Sequence, residues 1–159
     1  MSSSRLDTVA RVATPATSRS GLPWAFALNE TATCDDIDVT LLALIVVDEA
    51  VRVSGLVWIR RRVDVGLSNV PTLSVSTLAG SPLLPVGGHL LPYGREAAWV
   101  SWLYRRPVQV LGAWEARIDR IDIAHRRGRW VPEPVAGPWN FAFRVPTSRR
   151  PLRLISRVD

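Results

Sequence analysis

The chain contains no lysine: all 20 basic residues among its 159 are arginine. Arginine pairs carboxylate and phosphate bidentately and stacks on aromatic rings, which suits an interface, although codon usage in a GC-rich genome gives the same bias. Cysteine is nearly missing too. Cys34 stands alone, so no intramolecular disulfide forms, and a reducing compartment is favoured. The two histidines, His89 and His125, match no zinc-ligand spacing with that cysteine. No stretch of about 18 residues runs without charge, which excludes a transmembrane helix. The longest apolar run, Val39–Val47, is interrupted by Thr40. Met1–Arg5 lacks the basic segment and apolar core of a secretory signal, and the expected location is the cytoplasm. Asn29-Glu30-Thr31 has the form of a glycosylation sequon, a triplet frequent by chance.

Hydrophobic residues make up 47% of the chain, too many for a polypeptide that stays unfolded throughout. A single domain of this length buries roughly 70% of its unfolded surface, so neither a metal nor a disulfide is required for folding. The net charge of +6 is unevenly spread. Residues 1–20 carry Arg5, Arg11 and Arg19 against Asp7. Residues 147–159 carry Arg149, Arg150, Arg153 and Arg157 against Asp159. Residues 21–146 are left with a balance of only +1. A flexible Ser/Thr/Arg arm over 1–20, a domain over 21–146 and a basic tail over 147–159 follow from this division.

Period-two alternation dominates the middle of the chain. Ile37, Val39, Leu41, Ala43, Ile45 and Val47 share one parity, and the opposite parity turns from polar to apolar along the run. This predicts a strand covered on both faces in its second half. Asp48-Glu49 forms a turn, and Val51–Ile59 alternates again, giving an antiparallel hairpin. Short β segments are expected at 63–65 and 72–76, and extended or strand-like chain at Val108–Val110. Residues 79–94 hold Gly80, Pro82, Pro85, Gly87, Gly88, Pro92 and Gly94 and read as a long loop. Ala98–Tyr104 alternates. Trp114–His125 changes parity near Asp119-Arg120, as a bulged strand does, with a helix as the competing reading. Turns are expected at Gly128, Pro132, Pro134, Gly137 and Pro138, and a last strand at Trp139–Val145. Some seven strands without a convincing helix predict an all-β fold of two packed antiparallel sheets, with a small closed barrel as the alternative.

The stretch Gly137-Pro138-Trp139-Asn140-Phe141-Ala142-Phe143 resembles the last strand of immunoglobulin-like β-sandwich domains of bacterial proteins of unknown function. The likeness extends over about 35–146 and implies an immunoglobulin-like sandwich. Relatives of that kind are often surface-exposed or exported, whereas this chain shows no signal or anchor. The resemblance implies no activity, since sandwiches serve many roles.

No catalytic constellation emerges. His89, His125 and Cys34 lie in no nucleophile motif. Asp35, Asp36 and Asp38 lack the Gly and later Glu of a calcium loop, and Gly87-Gly88 lacks the Lys of a phosphate loop. No cofactor or metal is implied. The informative residues are seven tryptophans. Trp99 and Trp102 have opposite parity, so they and Trp58 cannot all occupy one sheet face, and at least one indole points outward. Exposed Trp beside Arg is the composition of interface hot spots. The expected function is therefore a non-enzymatic interaction or structural module within a larger assembly. Contact falls to Trp58, Trp99, Arg60, Arg61, Arg62, Arg105 and Arg106, with the tail arginines ordering on a partner or a second copy. Nucleic-acid binding through the tails and Arg clusters is one alternative. A small ligand-binding protein or hydrolase using the 79–94 loop and His89 is the other.

Overall fold

The computed structural model describes residues 24–60, 64–77, 80–125 and 132–145. Nine strands account for most of them: β1 (Trp24–Cys34), β2 (Ile37–Val46), β3 (Ala50–Ile59), β4 (Val65–Leu67), β5 (Ser74–Thr77), β6 (Pro85–Tyr93), β7 (Ala97–Arg105), β8 (Gly112–His125) and β9 (Glu133–Val145). Every pairing is antiparallel, and no helix occurs among the described residues.

Sheet A has the order β1-β2-β3-β7-β6. Sheet B is built on β8, which pairs with β9, β4 and β5. Both β5 and β9 pair with Trp114–Arg117 of β8, so they lie on opposite edges. Along β8 the registers of β4 and β5 differ by one residue, which makes them two pieces of one strand interrupted around Pro71. The sheets do not close into a barrel. The fold is a two-layer antiparallel sandwich.

One side of each sheet supplies the core. Ile37, Val39, Val53, Val57, Val100 and Trp102 of sheet A meet Trp114, Ile118, Ile121, Trp139 and Phe141 of sheet B. Polar and charged side chains are absent from the buried set among the described residues, so the polar tips of the large aromatics must find backbone partners. The Trp102 Nε1–H donates to the Pro71 carbonyl at 2.7 Å and the Tyr104 hydroxyl to the Leu73 carbonyl. Trp139 Nε1–H crosses to the Ile37 carbonyl at 3.0 Å, and Trp114 Nε1–H donates to Val110 at 2.7 Å. Three of these bonds join one sheet to the other or to the linker between β4 and β5.

The Ile37–Ile59 hairpin and the bulged strand at Trp114–His125 take the expected form; the register of β8 on β9 shifts between Ile118 and Arg120. Other segments differ. Residues 85–93 are an edge strand, not part of a loop. Proline removes only an N–H, and at an edge that N–H has no ladder partner to lose. For the same reason β9 runs through Pro134, Gly137 and Pro138, where turns were expected. In β2 a bulge between Leu41 and Ala43 switches faces, so Leu44 and Val46 are buried in place of Ala43, Ile45 and Val47. The apolar second half reflects that switch and not cover on both sides. Residues 108–110 form no strand; Val110 is buried and Val108 fully exposed. β1 is an addition: Trp24, Phe26, Leu28, Ala32 and Cys34 pack against the core, and Asn29 takes a φ of 54° where the pairing with β2 shifts. The expected arms over 1–20 and 147–159 lie outside the described residues, as do Arg61 and Arg62.

Candidate functional site

Strand pairing places the outward residues of sheet A in rows. One row runs Asp38–Trp58–Ala97–Tyr93 across β2, β3, β7 and β6, and the next runs Thr40–Leu56–Trp99–Leu91. Trp58, Trp99, Leu91 and Tyr93 are 49%, 40%, 56% and 59% exposed. Cross-strand neighbours sit about 5 Å apart, so these side chains form one continuous apolar surface. Tyr93 meets Trp99 edge to face, with ring centres 6.0 Å apart. Leu56, Trp58, Tyr93, Arg95, Glu96 and Ala97 line a shallow depression of about 230 Å³. Neither exposed indole N–H has a hydrogen-bond partner among the described residues, in contrast to Trp102, Trp114 and Trp139.

The rim is polar and paired. Arg60 Nε lies 3.0 Å from Asp38 Oδ2, and Thr33 Oγ1 donates to Asp38 Oδ1 at 2.7 Å. Thr31 and Thr40 share a hydroxyl hydrogen bond of 2.9 Å.

The structure thus brings Trp58, Trp99 and Arg60 together. It separates Arg105 and Arg106 from them, because six residues of extended β7 span about 20 Å. Arg106 instead stacks over Trp24, 5.8 Å from the ring centre, and its Nη1 donates to the Asp48 carbonyl. Arg105 is the register partner of Ala50. The seven tail arginines and Arg61 and Arg62 fall outside the described residues.

His89 stands on exposed β6 opposite Ser101, with no hydrogen bond or ion pair to another described residue. His125 Nε2 lies 3.9 Å from Glu133 Oε2, and Cys34 Sγ donates to the Ala136 carbonyl at 3.5 Å. No group of three or more His, Cys, Asp or Glu that could hold a metal is found among the described residues.

Leu56, Leu91 and Tyr93 were missed by sequence reasoning. Reading 79–94 as a loop hid the last two. Once 87–93 is paired to β7, its odd-numbered residues share the face of Trp99.

No protein-family model matches the chain, and no curated protein matches it either. Among solved structures, the chain is similar to a conserved domain protein from Bacillus anthracis, with a TM-score of 0.51 and 14% identity over 77% of this chain. The match spans 41% of that protein's length, and at such identity it speaks to fold alone. No helix among the described residues is long and apolar enough to cross a membrane.

Proposed function

We propose that the chain is a non-enzymatic interaction module of a larger protein assembly and that the outer face of sheet A is its contact surface. The observation that carries this reading is the continuity of Leu56, Trp58, Leu91, Tyr93 and Trp99 across three paired strands. The patch is on the scale of the largest that a soluble monomer exposes, which is often functional, and tryptophan and tyrosine are enriched among the residues that dominate interface energetics. The sandwich itself fits an immunoglobulin-like arrangement. The order β2-β3-β7-β6 against (β4/β5)-β8-β9 corresponds to strands A-B-E-D against C-F-G, with β1 added at the edge. A single unpaired cysteine is in keeping with the cytoplasm.

Oxidative footprinting of the native assembly tests the reading: Trp58 and Trp99 should be protected there and reactive in the purified chain diluted until it is monomeric. Equal reactivity in both states would refute it.

A second reading has its own observation. Trp24 pairs with Val46 and Val145 with Gly112, so both described termini lie at the end of the sandwich that holds Arg105 and Arg106. Residues 1–20 and 147–159, with balances of +2 and +3, are joined to that end. A nucleic-acid backbone bound there would be released steeply by salt, and Arg105→Glu with Arg106→Glu would weaken it. Salt-independent binding eliminates this alternative.

A further inference from the structure

We infer that the occupant of the outer face of sheet A is a second copy of this chain, packed face to face about a two-fold axis. This rests on the interaction reading above and names its partner. Three features of the molecule lead to it.

The first is that, among the described residues, only one of the two outer sheet faces carries large exposed apolar side chains. The outer face of sheet B carries Ser74, Ser76, Glu115, Arg117 and Asn140, with Ala142 among them, and offers no large apolar side chain to a neighbour's indoles. Among face-to-face contacts between identical chains, one that buries Trp58 and Trp99 against large apolar side chains therefore places sheet A on sheet A. That contact is isologous and closes at two copies.

The second is the state of the β6 edge. Free edges invite strand addition, but β6 resists it. Pro85 and Pro92 bracket it, and its register on β7 shifts between Pro85 and Gly87. Pro92 has no N–H to offer a partner strand. Beside β6, association is thus directed to the face, where two sheets stack about 10 Å apart as they do inside a sandwich.

The third is area and charge. From their fractional exposure, Trp58, Leu91, Tyr93 and Trp99 present on the order of 400 Å² of mostly apolar surface. A standard interface takes about 800 Å² from each partner, and the surrounding polar rim supplies the remainder. Charges of both signs border the patch: Asp38 and Arg60 lie on one side, Arg95 and Glu96 on the other. A two-fold axis through the patch sets each pair against groups of both signs.

Sedimentation equilibrium of the full chain over a wide concentration range is the test. The 17.6 kDa chain should give a concentration-dependent dimer. Trp99→Asp should weaken it by about thirtyfold or more, as loss of a hot spot does. Leu91→Asp provides a second variant should Trp99→Asp disturb folding, which circular dichroism checks. Arg117→Asp, on the opposite face, should leave the mass unchanged. A wild-type chain that stays monomeric at every concentration overturns the inference, as does a dimer indifferent to both Trp99→Asp and Leu91→Asp. Footprinting separates the two levels. Protection of Trp58 and Trp99 in the native assembly, together with a monomeric purified chain, would retain the interaction surface and assign it to a different protein.

Discussion

The two outer faces of this sandwich belong to the same fold but follow different rules. On sheet B, alternation runs to its usual end, with Ser74, Arg117 and Asn140 in one row and Ser76, Glu115 and Ala142 in the next. A depression there of about 600 Å³ is open and lined by these residues. Sheet A carries leucine and aromatic rings at the equivalent outward positions of β3, β6 and β7. Folding requires one apolar side per sheet. The second apolar side on sheet A is beyond that need, and its indoles lack the hydrogen bonds that every buried indole among the described residues makes. The contrast separates aromatic residues that hold the fold from those available to a partner.

The sharpest way to break that contrast lies within β7, where Trp99 and Trp102 face opposite ways. Trp102→Ala should destabilise the monomer by about 3–5 kcal/mol, through the cavity and the orphaned Pro71 carbonyl. Trp99→Ala should cost the monomer about 1 kcal/mol or less. Urea unfolding of both variants under monomeric conditions measures the difference, and similar losses would erase the distinction. Gly55→Ala comes next. Its methyl would meet the Thr40 carbonyl oxygen at 2.8 Å and the Trp102 ring at 3.1 Å, an overpacking of about 1–3 kcal/mol readable by the same titration.

Tyr104→Phe should cost about 1–2 kcal/mol by leaving the Leu73 carbonyl unpaired. It should also alter alkaline behaviour. Burial raises the Tyr104 hydroxyl above its ordinary value of 10.0, so in strong base the unfolded chain ionises there first. The stabilising term is complete below that value and declines as pH climbs past it. Unfolding titrations of the wild type across that range should show a fall that Tyr104→Phe makes shallower; an unchanged slope refutes the assignment. The smallest effects belong to the surfaces. Arg117→Ala and Asn140→Ala should stay within about 0.5 kcal/mol in thermal unfolding. Arg60→Ala should cost under about 1 kcal/mol, less in high salt, because its ion pair with Asp38 is solvent-exposed.

How much of this was written plainly in the residues depends on where a strand sits. The hairpin of β2 and β3 was legible because turn and alternation are local. The bulge in β8 was legible because buried parity changes between Ile118 and Ile121. Edge strands were not. β6 and β9 tolerate proline and glycine at positions where an interior strand would lose ladder bonds, so their sequence is punctuated like a loop. β1 carried a readable alternation at Trp24, Phe26 and Leu28, yet its small polar second half gives little periodic signal. For the contact face, opposite parity of Trp99 and Trp102 requires one of the two to turn away from the other. Which one turns outward, and that Leu91 and Tyr93 join it, depends on β6 and β3 flanking β7, a long-range pairing that no local pattern encodes.

The interrupted strand of sheet B has a consequence for how the molecule comes apart. β4 and β5 offer few ladder bonds of their own, and the linker between them is pinned by Trp102 and Tyr104 from the opposite layer. Peeling this edge away means tearing polar anchors out of the interior of sheet A, while Trp139 ties β9 to β2 near the other margin. Neither layer can melt on its own account. Amide exchange in the two should therefore quicken together as denaturant is raised, as one cooperative unit with a single global opening.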